Sequence, residues 1–437
     1  MRIAFATVGC RLNQFETDAL RGKAHAGAYE VVPFDAHADV YVINTCTITA
    51  DADADSRQMA RRAVRRNPSA IVVVTGCYAQ AAPDAAAAIP GVDLVVGNPE
   101  KSGLLAAIER VRKNGTPHVL VSDVVTASRM DGDEYGPGID PDRTRAFLKV
   151  QDGCNFSCSF CIVPAVRGPS RSQEPERVLA AIRRLHAAGF PEVVLTGIHL
   201  GTYGRDLRPR TTLAVLCEAL GALADAPRVR LSSLDPHEVT PELIRLFADP
   251  SRFCRHLHLP LQSGDEGILR RMRRGHTAAD FRALVERLAV DAPQLAVTGD
   301  VIVGFPGEEA DAFRSTYELI EGLPLAGLHV FSYSRRPGTD AAAYPDQVSR
   351  QVKRERSRAL RSLADQKAHA FRQRMVGETL QVAVLRQESD AGMLEGLSDN
   401  YLRVWFSGDP GLRGTVVRVR VEAATGRGVV GSLASIS

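Results

Sequence analysis

The segment CNFSCSFC, Cys154 to Cys161, constrains this chain more than any other. Its three cysteines are separated by three residues and then by two, and the chain has no other tight cysteine cluster. A structural zinc site takes four ligands and leaves no position open. The four-cysteine runs of ferredoxins likewise close every iron of their clusters. Three thiolates instead fit a four-iron cluster with one iron left free, and a free iron can chelate the amino and carboxylate groups of a small molecule. The alternative is a set of three buried or zinc-binding cysteines.

With 437 residues the chain is long enough for two or three domains of about 100–200 residues each. A net charge of only +3 leaves any nucleic-acid contact to local patches. Eight cysteines in so long a chain do not make a disulfide framework. The start, MRIAFA, has no signal-peptide pattern. No apolar run approaches the ~20 residues that span a bilayer. The expectation is a cytoplasmic protein with reduced thiols and no membrane partner.

Short apolar runs at 2–9, 39–45 and 70–76 alternate with helical patterns at 13–27 and 56–66, which predicts a doubly wound parallel α/β unit. Cys10, Cys46 and Cys77 each follow one of those runs: TVGCR, INTCT and VTGCY. Ligands of open parallel sheets bind beyond the carboxyl ends of the strands. Three cysteines distant in sequence can therefore meet there, although each taken singly also reads as a small buried residue. Residues 122–145 are rich in Asp, Gly and Pro and read as a linker.

From residue 146 six further β/α units follow, with strands expected at 146–151, 192–197, 228–233, 255–260, 295–304 and 326–334. Six units are too few for the eight-stranded barrel. Small and polar residues gather at the far ends of these strands: Thr196 and Gly197, Ser232 and Ser233, Gln262 to Gly264, Gly304 to Gly307, Ser332 and Tyr333. His199 and His258 lack any metal-binding spacing and carry no assignment. A basic helix is expected over 348–376. From Gly377 to Ser437 short β-patterns predict a small barrel of oligonucleotide-binding type. There Tyr401, Trp405 and Phe406, with Arg403, offer stacking faces and charge, one or two of them exposed. Arg57, Arg61, Arg62, Arg65 and Arg66, and the run Arg270 to Arg274, are solvated helix faces or phosphate contacts.

The motif, with Phe160 before its last cysteine, resembles the signature of the radical S-adenosylmethionine superfamily. TVGCRLNQFET, NTCTITADADADSRQ and TGCYAQ resemble the N-terminal domain of its methylthiotransferases, and the resemblance runs over essentially the whole chain. It implies an N-terminal α/β domain at 1–121, an open six-unit (β/α) barrel at 146–347 and a C-terminal RNA-binding TRAM barrel at 377–437. It also implies two 4Fe–4S clusters, one on Cys154, Cys158 and Cys161 and an auxiliary one on Cys10, Cys46 and Cys77. S-adenosylmethionine is expected against Phe160, Thr196, Gly197, Ser232, Gln262, Ser263, Gly264 and Ser332. In the resembling family one S-adenosylmethionine methylates a sulfur and a second yields the 5′-deoxyadenosyl radical; the methylthio group ends on carbon 2 of an adenine beside the tRNA anticodon. The residues around Cys10 and Cys46 are most similar to the branch acting on threonylcarbamoyladenosine. The alternatives are isopentenyladenosine in tRNA, a ribosomal-protein aspartate, or a small metabolite. Expected partners are tRNA, a sulfur donor and an electron donor such as flavodoxin or ferredoxin.

Overall fold

The computed structural model describes residues 1–27, 29–126, 130, 143–247, 249–386 and 393–434. Most of the expected linker, residues 127–129 and 131–142, lies outside them. The chain divides into two compact units. The first comprises Met1–Pro141, Lys149–Gln173 and Ser334–Ala342; the second comprises Asp142–Leu148, Glu174–Tyr333 and Ala343–Ser437.

The first unit is built on a six-stranded sheet of order β2-β1-β3-β4-β5-β6. Its strands are β1 (Arg2–Thr7), β2 (Glu30–Val32), β3 (Val40–Thr45), β4 (Ile71–Gly76), β5 (Leu94–Val96) and β6 (His118–Leu120). Every pairing is parallel. All six residues of β3 are buried, as a central strand covered on both faces requires. The expected strands at 2–9, 39–45 and 70–76 are β1, β3 and β4; the three short strands escaped the sequence pattern. Helix Ala50–Arg66 starts where the Thr49 hydroxyl accepts the Ala52 N–H at 3.1 Å. Arg62 and Arg66 on that helix pair with Asp35, which commits two of the five arginines of its basic face within the protein.

Strand β7 (Arg145–Lys149) then leads into a short antiparallel pair of the first unit, β8 (Gln151–Asp152) with β9 (Arg171–Ser172). The second unit carries β10 (Glu192–Thr196), β11 (Arg228–Leu231), β12 (His256–His258), β13 (Ala296–Val303) and β14 (Gly327–Ser332). With β7 they form two three-stranded sheets, β11-β10-β7 and β12-β13-β14, and an isolated bridge pairs Val229 of β11 with Phe253, just before β12. This is the open six-unit arrangement expected from the sequence.

Helix Arg350–Arg374 leads into a closed barrel of order β15-β16-β17-β19-β18. Its strands are β15 (Thr379–Val384), β16 (Leu394–Ser398), β17 (Arg403–Phe406), β18 (Val416–Ala424) and β19 (Val429–Leu433). Phe406 is wholly buried among Leu380, Val382, Val404, Val419 and Val429, so it fills this core and offers no stacking face. Tyr401 lies with its ring 4.5 Å from that of His256 and nearly parallel to it, and the Arg230 guanidinium sits 4.9 Å from its centroid. It too is committed inside the unit. Trp405 remains half-buried and Arg403 exposed, the latter paired with Glu395 at 2.7 Å.

The loop before Tyr401 is held by buried charge. Glu192 at the start of β10 takes Arg228 at 2.7 Å and Arg230 at 2.8 Å. The same two guanidinium groups also donate to the carbonyls of Gln381, Leu397, Ser398 and Asp399 at 2.8–3.0 Å. Burial alone would raise the Glu192 carboxyl, but the arginines hold it well below its usual range. A depressed carboxyl stabilises the fold above its unfolded value near 4.5 and loses that contribution as pH falls toward the folded one. Glu192→Ala should therefore cost about 3–5 kcal/mol in urea unfolding at neutral pH, the cost of stranding buried cations. Its acid limb below pH ~4.5 should be shallower than that of the wild type.

Candidate functional site

Within the first unit, Cys10, Cys46 and Cys77 stand at the C-terminal edge of the parallel sheet. Cys10 is the residue before helix Arg11–Ala26, Cys46 follows β3 directly, and Cys77 opens the short helix after β4. Two glycines allow the close approach. Gly9 has φ +103°, and a Cβ there would stand 2.8 Å from the Cys46 sulfur. Gly76 has φ +96°, and a Cβ there would meet the Thr45 carbonyl at 2.6 Å. Both lie where only glycine is unstrained. The Asn13 side chain ties the strand ends together, donating to the carbonyls of Val8 at 2.8 Å and Thr45 at 2.9 Å.

Burial pushes the Cys46 thiol up to about 12, with the neighbouring Cys77 and Cys10 adding to the rise. Cys10 is exposed as a residue, yet the chain packed about its thiol desolvates it and raises it too, against the pull of Arg167. Three thiols with mutually unfavourable charges ionise together only when a cation joins them. The donor set fits an iron–sulfur cluster.

The second triad sits on the loop between β8 and helix Val163–Arg167. The Cys154 N–H donates to Gly168 O at 3.0 Å, the Cys161 N–H to Cys158 O at 3.0 Å, and the Cys154 sulfur accepts the Phe156 N–H at 3.4 Å. Gly153, at φ +73°, lets the loop cross the Gly168–Pro169 backbone, which a Cβ would strike at 2.0 Å. All three cysteines and Phe160 are partly exposed, so the loop can accept a bound group. Ile162 and Val166, just beyond it, pack on Cys77. One short helix thus connects the two triads.

Arg167 ends that helix in a buried ion network that sequence reasoning did not single out. It meets Glu16 at 2.6 Å and Asp152 at 3.2 Å and donates to Asn13 Oδ1 at 2.7 Å. Lys101 reaches Glu16 at 2.5 Å, and Lys149 reaches Glu16 and Asp152 at 3.4 Å each. Burial works against the charges of Glu16, Asp152 and Arg167; the cations nonetheless hold Glu16 and Asp152 low, and the nearby Cys77, then Glu16 and Asp152, hold Arg167 well above its ordinary value. With Arg171, 3.8 Å from Asp152, four buried cations face two carboxylates, which leaves a positive excess beside Cys10 and Cys77. Such an excess favours thiolate and an anionic cluster.

In the second unit the expected strand-end residues divide. Thr196 ends β10 buried, and Gly197 follows it. The Ser232 hydroxyl and the Gln262 Oε1 are buried with no hydrogen-bond partner among the described residues. Gln262 has φ +68°, and its backbone bridges β13, its N–H donating to Asp300 O at 2.8 Å and its carbonyl accepting from Ile302 at 2.9 Å. Two orphaned polar atoms at strand ends fit a polar ligand such as S-adenosylmethionine. Ser263 and Gly264 are engaged elsewhere: the Ser263 hydroxyl lies 3.3 Å from that of Thr316, and a Cβ on Gly264 would meet Thr316 Cα at 2.6 Å. Gly304 and Gly307 are closed over by Lys353 and Arg271. Ser332 is exposed at the end of β14. His199 is buried, 2.9 Å from Glu238.

Arg167→Met should destabilise the metal-free protein by about 3–5 kcal/mol, because it strands Glu16 and Asp152 among fewer cations. At fixed pH it should also slow alkylation of Cys10, whose thiolate loses its positive neighbour. Urea unfolding and timed iodoacetamide labelling with peptide mapping check both.

Comparison with known proteins agrees with this geometry. Residues 2–97 match the family described as Uncharacterized protein family UPF0004, and residues 148–320 match the Radical SAM superfamily. The chain is 41% identical over 97% of its length to the threonylcarbamoyladenosine tRNA methylthiotransferase MtaB of Bacillus subtilis (strain 168), covering 94% of that protein. It is 39% identical over 96% of its length to the MtaB of Aquifex aeolicus (strain VF5), covering all of it. A tRNA-2-methylthio-N(6)-dimethylallyladenosine synthase of Moorella thermoacetica is 32% identical over 96% of the chain, 95% of its own length being covered. Among solved structures, the radical S-adenosylmethionine methyltransferase TsrM of Kitasatospora setae superposes with a TM-score of 0.57 at 16% identity, over 76% of this chain and 72% of that one, a likeness of fold. The superfamily brings a 4Fe–4S cluster and S-adenosylmethionine. The chain belongs to the radical S-adenosylmethionine methylthiotransferases, in the MtaB branch.

Proposed function

We propose that this enzyme adds a methylthio group to carbon 2 of threonylcarbamoyladenosine in tRNA, next to the anticodon. The observation that carries the reading is the pair of three-cysteine sites in one unit, connected through Ile162, Val166 and Arg167. The assignment to threonylcarbamoyladenosine rests on the relatives of that name, which reach 41% identity. Relatives named for dimethylallyladenosine stand at 32–33%.

Cys154, Cys158 and Cys161 hold the cluster that works with S-adenosylmethionine, and Cys10, Cys46 and Cys77 hold a second 4Fe–4S cluster. With its cofactor bound, the site supplies a carbon radical able to take hydrogen from an unactivated C–H bond, which no acid or base side chain can do. Of the strand-end residues, Thr196, Gly197, Ser232 and Gln262 take the cofactor's polar groups, with Ser332 and Phe160 as further contacts. Ser263 and Gly264 act through the turn that sets Gln262. Arg167 and its lysine neighbours balance the charge of the cluster on the N-terminal cysteines. The division into 1–121, a linker 122–145, 146–347, a connector 348–376 and 377–437 follows the same reading, with the last segment binding RNA through Trp405 and Arg403. A flavodoxin or ferredoxin supplies electrons and a separate donor supplies sulfur. Among the described residues no helix is long and apolar enough to cross a membrane, which is consistent with a cytoplasmic setting.

Anaerobic reconstitution tests the reading. Wild type should hold about eight irons, and each triple Cys→Ala variant about four. Nucleoside mass spectrometry should find the methylthio derivative of threonylcarbamoyladenosine in tRNA treated with wild type and with neither variant. About four irons in wild type, unchanged by loss of the N-terminal three, would sink the two-cluster reading. Methylthiolation of isopentenyladenosine instead would overturn the substrate.

A further inference from the structure

Three strands of the second unit place ligand-type side chains at one level, remote in kind from the cysteine sites. Asp300 of β13 stands opposite His329 of β14, and His258 of β12 stands opposite Thr298, two residues before Asp300 on the same face. The carboxylate Oδ1 of Asp300 lies 3.1 Å from His258 Nε2 and 3.2 Å from His329 Nδ1. The three ligand atoms all fall within 4.8 Å of one another, and the two imidazole centroids are 5.3 Å apart.

The hydroxyl of Thr298 fixes how His258 presents itself. Its Oγ1 is 3.0 Å from His258 Nδ1, 3.0 Å from His256 Nε2 and 3.4 Å from the Leu257 carbonyl. With its hydrogen given to that carbonyl, Oγ1 accepts from both rings. Neutral His258 then carries its proton on Nδ1 and turns the lone pair of Nε2 toward a carboxylate oxygen at 3.1 Å. In that tautomer the two facing acceptors are joined by a positive centre, a proton or a metal ion; in the other, Thr298 donates to Nδ1 and the His258 Nε2–H donates to Asp300.

The two distances to Asp300 suit the metal. Bonds of about 2.0–2.1 Å to a tetrahedral ion put neighbouring ligand atoms roughly 3.3 Å apart. The second ring nitrogen of a metal-bound histidine is characteristically held by an outer hydrogen bond, the part Thr298 plays here. Two imidazoles and one carboxylate select a divalent first-row ion of the zinc or iron(II) kind over calcium or magnesium. His258 is buried, whereas the His329 side chain is 67% exposed, so the remaining coordination positions face solvent. We propose that His258, Asp300 and His329 form a binding site for one such divalent ion, with open positions for water or an oxygen-bearing ligand.

The test uses the reconstituted holoprotein with its clusters in place, dialysed to equilibrium against zinc sulfate. Wild type should retain one more zinc per chain than Asp300→Asn or His329→Ala, with no loss of iron. Zinc should raise the thermal midpoint of wild type and leave that of His329→Ala unmoved. Zinc affinity of His329→Ala should fall at least about tenfold, the loss that even an outer partner of a metal ligand costs. Because His329 is exposed, that variant keeps the test readable should Asp300→Asn fold poorly. Equal zinc in all three proteins, or zinc gained only as iron leaves, overturns the site; the positive centre is then a proton shared by His258 and Asp300.

Discussion

The first unit depends on one buried carboxylate. Glu16 accepts Arg167, Lys101 and Lys149 at a point that water does not reach; without it Lys101 would lose its carboxylate, and Arg167 and Lys149 would be left to Asp152 alone in low dielectric. Those cations come from distant stretches of chain: the start of the cysteine loop, the helix after it, and the segment after β5. A single side chain on helix Arg11–Ala26 therefore holds four segments in register. A buried ionic network is a costly way to gain stability. Here it leaves a positive excess beside Cys10 and Cys77, which favours thiolate there. The same groups that fix the fold set the electrostatics of the cysteine site.

Much of this architecture is legible in the sequence because parallel strands buried on both faces write long apolar runs. β1, β3 and β4 fall where those runs predict, and so do β7 and β10 to β14. β2, β5 and β6 have three residues each and leave too short a run to read. The cysteines were legible for a geometric reason, since each closes a strand and strand ends converge on one edge. Gly9 and Gly76 complete the argument, since any larger residue would push against the Cys46 sulfur or the Thr45 backbone. The ion network was not legible, because no sequence spacing links Glu16 to Lys101, Lys149 and Arg167. Only the folded chain brings them together.

The C-terminal barrel shows which of its aromatic residues the core takes. Aromatic residues in an RNA-binding module invite a stacking role, but a five-stranded barrel must first fill its own core, and Phe406 is spent there. Tyr401 is withdrawn for a second reason. The Glu192–Arg228–Arg230 cluster needs acceptors for its remaining guanidinium hydrogens, and the carbonyls of Leu397 to Asp399 supply them. Holding that loop brings the Tyr401 ring onto His256 and Arg230. Of the four residues singled out there, Trp405 is left half-buried and Arg403 exposed, in keeping with the expectation that only one or two of the aromatic residues would face solvent.

His256 also shows why spacing rules pass over sites built across strands. Motifs with metal-binding spacing are recognised on one helix or one loop, where i and i+4 or a short gap fixes the geometry. In a parallel sheet the neighbours are tens of residues apart, and register decides which side chains meet. His258, Asp300 and His329 share no motif, yet pairing of β12 with β13 and of β13 with β14 sets them within reach of one another. His256 and His258 both turn to Thr298, because alternation puts residues two apart on the same face of a strand. One threonine hydroxyl thereby links the ring stacked on Tyr401 to the ring facing Asp300.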